Sequence, residues 1–94
     1  MKYYVYIITN KRDGVLYIGL TKDLKRRIYQ HKNKVHPSTF SARYNLNKLV
    51  YFEEYKNESE AKLREKRMKK WNRAWKIELI EKMNSDWKDL YENL

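Results

Sequence analysis

Two short segments rich in β-branched and aromatic residues, separated by a polar stretch, most constrain the fold of this chain. Residues 3–9 and 15–20 alternate in side-chain character, which is typical of β-strands. Between them the sequence Asn10-Lys11-Arg12-Asp13-Gly14 is typical of a turn. The two strands are therefore predicted to pair as an antiparallel hairpin.

This hairpin is expected to bring two tyrosines together. If its loop covers residues 10–13, Tyr6 lies directly across from Tyr17, with their Cβ atoms about 5 Å apart on one face. Aromatic packing between the strands is the alternative explanation for such a pair, and it is a reasonable one in a chain with nine tyrosines. Gly19, near the end of the second strand, indicates the close approach of another group. A phosphate backbone and a packed helix are the two alternatives for that group.

The rest of the chain predicts helices around a third strand. The segment Thr21-Lys22-Asp23 can cap a helix ending near Lys32, and a loop over residues 33–47 follows, with one helical turn near residues 40–44. Residues 48–55 are predicted to form the third strand. Asn57 then fits the cap of a long helix that ends near Trp71.

The last part of the chain predicts one more helix and a short final turn. A helix over residues 73–83 carries Trp75, Leu79 and Met83 at the spacing of one face, and a last turn is expected over residues 85–91. The order ββαβαα indicates one α+β domain over residues 1–94, with a small three-stranded antiparallel sheet flanked by helices. Residues 77–94 are expected to be a C-terminal helical extension.

The charge of the chain is uneven. Residues 1–76 carry 20 Lys and Arg against 7 Asp and Glu, whereas residues 77–94 carry 2 against 5. A basic body favours a polyanionic partner, most simply nucleic acid, although a solvated lysine surface is the alternative. The chain has no cysteine and hence no disulfide or thiolate metal site. No apolar run is long enough to span a bilayer, so no membrane partner and a cytoplasmic location are expected.

The first predicted helix carries two candidate functional residues. Arg27 and His31 lie four residues apart and share a face that adjoins the apolar Leu24 and Ile28. An arginine in this position can bind a phosphate through two parallel hydrogen bonds, and an imidazole can donate a hydrogen bond or pass a proton. The alternatives are a salt bridge for Arg27 and a purely structural, hydrogen-bonded His31.

Glu65 is the most unusual residue of the long helix. It shares the predicted inward stripe with Ala61 and Met68, where an unpaired charge is costly. A single carboxylate also suits Mg²⁺, which often takes one or two protein ligands and completes its shell with water and phosphate oxygens. An ion pair with Lys69 at i+4 is the alternative. The residues predicted to bind nucleic acid are Gly19, Lys22, Lys25, Arg26, Lys62, Lys66 and Lys69.

These residues resemble the GIY-YIG nuclease superfamily over roughly residues 3–76. Tyr17-Ile18-Gly19 matches the second signature, and Tyr4-Val5-Tyr6 keeps the final tyrosine of the first but not its leading glycine. The chain is most similar to the small stand-alone bacterial members, including the stretches Phe40-Ser41-Ala42-Arg43-Tyr44 and Leu63-Arg64-Glu65-Lys66. The asparagine of several relatives falls near Lys76, so that residue is not matched.

The resemblance implies a GIY-YIG fold and a catalytic set of Tyr6, Tyr17, Arg27, His31 and Glu65. It implies a metal-dependent endonuclease that hydrolyses DNA phosphodiester bonds with one Mg²⁺ or Mn²⁺ held by Glu65. Tyr6, with a phenolate as one option, would help to activate the water. A homodimer or a protein partner would supply specificity. The alternative is a catalytically weak nucleic-acid-binding or partner-binding module that retains the fold.

Overall fold

The three predicted strands form one antiparallel sheet in a computed structural model that describes residues 1–94. Strand β1 (Tyr3–Thr9) is central, and β2 (Leu16–Thr21) and β3 (Lys48–Tyr55) pair with its two sides. The order β2-β1-β3 makes β2 an edge strand. Each strand is bounded by polar or turn-forming residues, as the sequence predicts.

Four α-helices and one 3₁₀ helix complete the fold. They are α1 (Leu24–Lys32), α2 (Phe40–Arg43), α3 (Glu58–Lys70), α4 (Arg73–Met83) and a 3₁₀ helix over Leu90–Asn93. Side-chain caps fix the starts of the helices, because each accepts an otherwise unpaired backbone N–H. Asp23 accepts from the N–H of Arg26, and Asn57 accepts from those of Ser59 and Glu60. No helix is long and apolar enough to cross a membrane.

The sheet separates two apolar clusters. On one face Val5, Ile7 and Ile18 pack with Ala61 and Met68 of α3. On the other face Tyr6 and Ile8 pack with Leu24 and Ile28 of α1. Helices α1 and α3 therefore cover opposite faces, which determines what each can contribute to a site.

The register of the hairpin differs from the prediction by two residues. Tyr6 pairs with Gly19, and Tyr17 pairs with Ile8. The loop is longer than expected, because the Asn10 side chain accepts the N–H of Val15 at 3.1 Å and holds residues 10–15 out of the ladder. An even shift keeps every side chain on its face, so the two tyrosines remain neighbours, on a diagonal.

The core of α4 also differs from the predicted stripe. Trp75 and Met83 are exposed, by 56% and 49%, and the buried residue of this helix is Ile80. Leu79 of the predicted stripe does pack on the α3 side of the sheet, together with Ile77 and Ile80, which were not part of that stripe. The final turn begins later than expected, at Leu90, and the buried Trp87 precedes it.

Candidate active site

Gly19 leaves room for the ring of Tyr6. A Cβ atom at position 19 would lie 2.3 Å from both Cζ and Oη of Tyr6, whose side chain is almost fully buried. The close approach predicted at Gly19 thus comes from a tyrosine of the neighbouring strand. The two predicted alternatives, a phosphate backbone and a helix, are both wrong for this position, and Gly19 itself is buried.

His31 connects the buried tyrosine of β1 to the short helix α2. Its Nε2 lies 2.9 Å from the Tyr6 hydroxyl, and its Nδ1 lies 2.8 Å from Oγ of Ser41. The Tyr17 ring meets the imidazole edge-on, with 6.0 Å between ring centroids. Helix α1 supplies this arrangement because Leu24 and Ile28 fix its buried face, so that Arg27 and His31 lie beside β1 and β2.

A cleft of about 100 Å³ opens beside this pair. Of the predicted catalytic residues, Tyr17, Arg27 and His31 line it. The other lining residues are Gln30, Lys34, His36, Thr39, Phe40, Ser41 and Ala42. Phe40, Ser41 and Ala42 belong to a stretch that resembles relatives. The remaining residues were not predicted, since Lys34, His36 and Thr39 lie in a loop that has no periodic pattern.

Arg27 has no carboxylate partner. Its Nη1 donates to Oε1 of Gln30 at 3.2 Å, and no acid lies within ion-pair distance of it. The salt bridge considered as an alternative is therefore absent. A half-buried guanidinium with free donors, on the wall of a cleft, can bind an anion.

Burial keeps both members of the tyrosine–histidine pair neutral. It raises the pKa of Tyr6 to about 12, and the neighbouring Arg27 offsets part of this rise, first as a hydrogen-bond donor and then through its positive charge. Burial, followed by the charges of Arg27 and His36, lowers the pKa of His31 to about 4. At neutral pH the pair is a phenol and a neutral imidazole. The phenolate considered from the resemblance does not fit this environment.

Glu65 lies outside the cleft. Its helix packs on the other face of the sheet through Ala61 and Met68, and its side chain is 21% exposed and 3.4 Å from Nζ of Lys69. Of the five residues that the resemblance assigns to catalysis, Glu65 and the almost fully buried Tyr6 therefore do not line the cleft, and their catalytic roles stay predictions.

The edge strand β2 nevertheless brings the two faces near each other. The negative charge of Glu65 contributes to the raised pKa of Tyr6, so the two groups interact electrostatically. Lys69 also borders a groove at β2 together with Tyr17, Phe40 and Lys76. Because β2 has no further strand beside it, a ligand lying across this edge can contact both the cleft and the α3 side.

Glu65 alone fits an open metal site, in which most of the ligands do not come from the protein. No group of three or more His, Asp or Glu side chains is arranged to hold a metal ion. An ion bound at Glu65 would therefore take one carboxylate from the protein and the rest of its ligands from water and substrate. Mg²⁺ accepts such a shell, since it keeps several waters and uses phosphate oxygens. Glu65 is thus compatible with the predicted single Mg²⁺ or Mn²⁺.

The predicted nucleic-acid-binding cations lie on both sides of the sheet. All six are exposed: Lys22, Lys25 and Arg26 at the start of α1, and Lys62, Lys66 and Lys69 on α3. Lys62 pairs with Glu58 at 2.9 Å, whereas Lys25, Arg26 and Lys66 have no acidic partner. Arg26 also borders a groove with Arg27 and Gln30, so the positive charge continues from the cleft along α1.

Comparison with known proteins agrees with this geometry. The model of the GIY-YIG catalytic domain matches residues 2–78. The chain is 43% identical over 77 residues to a UPF0213 protein of Clostridium perfringens, covering 82% of this chain and 81% of that one. It is 39% identical over 79 residues to a UPF0213 protein of Staphylococcus saprophyticus, covering 84% and 94%.

A solved structure supports the same assignment. The solution NMR structure of a UPF0213 protein from Bacillus halodurans superposes with a TM-score of 0.58 at 27% identity, covering 95% of this chain and 93% of that chain. The family match spans both hairpin strands, α1 and α3, and these elements carry every predicted catalytic residue. This chain therefore belongs to the GIY-YIG catalytic domain family.

Proposed function

We propose that this protein is a metal-dependent endonuclease that hydrolyses phosphodiester bonds of DNA. The observation that carries the proposal is an arginine without an acidic partner on the wall of a cleft, beside a neutral tyrosine–histidine pair. The family is one of endonucleases that act on DNA, which supports the same substrate class. A homodimer or a protein partner that supplies specificity is part of the proposal.

Arg27 is proposed to bind the scissile phosphate. Its guanidinium can donate two parallel hydrogen bonds to phosphate oxygens and oppose the negative charge that develops during attack. Gln30 contacts this guanidinium and leaves its charge unneutralised. Lys34 borders the same cleft and adds positive potential for an anionic substrate.

Tyr6 and His31 are proposed to remove the proton of the attacking water. Because the Tyr6 side chain is almost fully buried, this step requires the attacking water to enter beside it when the substrate binds. The water oxygen then bonds to phosphorus while its proton passes to the Tyr6 oxygen, and the Tyr6 proton passes to His31 across their 2.9 Å hydrogen bond. The bond between phosphorus and the 3′ oxygen breaks, with its electron pair on that oxygen. A bound phosphodiester stabilises the resulting imidazolium, because its negative charge opposes the effect of burial.

Glu65 is proposed to hold the Mg²⁺ or Mn²⁺ ion, in place of its present contact with Lys69. When bound, the ion supplies positive charge that stabilises the leaving oxygen. The Glu65 carboxylate is half-buried, so it retains an exposed part that could bind the ion. Tyr17 is proposed to order the aromatic wall of the cleft through its contacts with His31 and Phe40.

A cleavage assay with Mg²⁺ or Mn²⁺ over single-stranded, duplex, flap and branched DNA tests this function. Glu65→Ala should abolish cleavage and leave metal-free DNA binding intact, whereas Glu60→Ala, an exposed acid of the same helix, should cleave normally. Arg27→Ala should lower the rate by about 10²–10³ and weaken binding. Wild-type cleavage by Glu65→Ala would overturn the assignment.

A binding module that cuts poorly is the second candidate. It is favoured by the ion pair between Glu65 and Lys69 and by the position of Glu65 outside the cleft. This candidate expects the wild type to bind DNA without metal-dependent cleavage on any of the four substrates. It also expects Glu65→Ala to bind no differently from Glu60→Ala.

A further inference from the structure

A chain of hydroxyl groups runs from His31 into the loop that precedes α2. Oγ of Ser41 lies 2.8 Å from Nδ1 of His31 and 3.3 Å from Oγ1 of Thr39. Oγ1 of Thr39 in turn lies 2.8 Å from the backbone carbonyl of His36. Ser41 is buried, so solvent does not replace these partners. None of these hydroxyls has a role in the function proposed above.

Each hydroxyl of this hydrogen-bonded series has a single proton, which limits the directions in which the hydrogen bonds can run. A carbonyl oxygen can only accept, so the single O–H of Thr39 donates to His36. Thr39 must then act as acceptor toward Ser41, and the single O–H of Ser41 donates to it. Ser41 has no proton left for His31 and must accept from Nδ1–H. This pattern of hydrogen bonds assigns the Nδ1–H tautomer to His31, whereas a Ser41 hydroxyl that donated to Nδ1 across their 2.8 Å contact would give the Nε2–H tautomer.

The tautomer determines what His31 can do for Tyr6. With its proton on Nδ1, the neutral imidazole has a free lone pair on Nε2, the atom 2.9 Å from the Tyr6 hydroxyl. Tyr6 must then donate to His31. The opposite tautomer would donate from Nε2 to Tyr6 and could not receive its proton.

We propose that Ser41, oriented by Thr39, is a positioning residue that holds His31 as the Nδ1–H tautomer and so prepares Nε2 to accept the Tyr6 proton. The value of this arrangement for catalysis rests on the proposed nuclease function. The assignment of the tautomer does not, because it rests on the contacts of Ser41 with Thr39 and His31. Although Ser41 lines the cleft, its proposed role is exerted through His31.

Nitrogen-15 NMR of the histidine ring tests the proposal directly, since the two tautomers give different ring-nitrogen spectra. In wild type the His31 spectrum should be that of the Nδ1–H form. Ser41→Ala should give a mixture of tautomers. Thr39→Val should move the population toward Nε2–H, because the freed Ser41 hydroxyl can then donate to Nδ1. Ser41→Thr, which keeps the hydroxyl, should restore Nδ1–H, and Ser38→Ala, an exposed serine of the same loop, is the matched control.

An Nε2–H form in the wild type overturns the proposal. This measurement needs no variant, so the proposal can be tested even if a variant fails to fold. An unchanged tautomer in folded Ser41→Ala or Thr39→Val also overturns it. If wild type cleaves DNA, Ser41→Ala should lower kcat by about 10–100-fold with little change in KM. Absence of cleavage by the wild type would instead count against the proposed function and leave the tautomer result standing.

Discussion

Position 19 has no room for a side chain. Its backbone does not adopt the left-handed conformation, so an alanine there is not strained by the backbone itself. The constraint is the Tyr6 ring, which lies where the new Cβ atom would be. Gly19 of the second signature and Tyr6 of the first signature therefore depend on each other, because the strand register places them directly opposite.

Gly19→Ala is expected to destabilise the domain and to break the contact between Tyr6 and His31. The buried ring has to move, and overpacking of this kind costs about 1–3 kcal/mol. Urea unfolding measures the loss. The same substitution in a Tyr6→Leu background should cost less, because the ring is then absent. Equal losses in the two backgrounds would show that Tyr6 is not the cause.

At the scale of elements, the start of β3, the end of α1 and the C-terminal segment meet at one carboxylate. Oδ1 of Asp89 accepts the backbone N–H groups of Leu49 and Tyr91, each at 3.1 Å, and its other oxygen pairs with Lys32. Lys32 also donates to the carbonyl of Asn47 at 2.7 Å. Since Lys32 follows His31 directly, this junction also supports the helix that carries the candidate site.

Asp89→Ala is predicted to lower the free energy of unfolding by about 1–3 kcal/mol. The substitution leaves a half-buried Lys32 ammonium and a buried backbone N–H of Leu49 without their acceptor, and such losses carry this cost. Thermal and urea unfolding measure it. Asp86→Ala, an exposed acid of the same segment, is the control and should change little. Similar stabilities of the two variants would show that Asp89 does not stabilise this junction.

How far the sequence predicts each element depends on whether the deciding interaction is local. Asp23 and Asn57 cap their helices within three residues, so those starts were predictable. The hairpin register was not, because the Asn10 side chain lengthens the loop by bonding Val15. The exposure of Trp75 also depends on how α4 packs, which residue spacing does not determine.

The candidate site follows the same rule. Arg27 and His31 were predicted together because helical spacing alone puts them on one face. The position of Glu65 was only half predictable: spacing gives the inward stripe of α3, but the sheet face that α3 covers is set by tertiary packing. Thr39 ends a loop without periodicity and Ser41 lies in the single turn of α2 that follows, and only the folded chain brings them to His31.

At the scale of the whole molecule, positive charge is distributed around the β2 edge. The cations of α1 continue from the cleft on one face, and those of α3 lie on the other. The acidic residues after position 77 belong to α4 and the C-terminal segment. A nucleic acid lying across the edge would contact cations of both helices and avoid the acidic end of the chain.

DNA binding is therefore expected to fall steeply with salt and to depend little on sequence. Each phosphate neutralised in duplex DNA contributes about −0.9 to the slope of log K against log salt. Replacing Lys25 and Arg26 together by alanine should make that slope shallower by about 1–2. Lys82→Ala, which removes an exposed cation of α4 paired with Glu78, should leave it unchanged. Fluorescence anisotropy over a range of salt concentrations, in the absence of divalent metal, separates binding from cleavage. An equal slope for wild type and the double variant would show that α1 does not contact the phosphates, and a flat wild-type curve would exclude an electrostatic interface altogether.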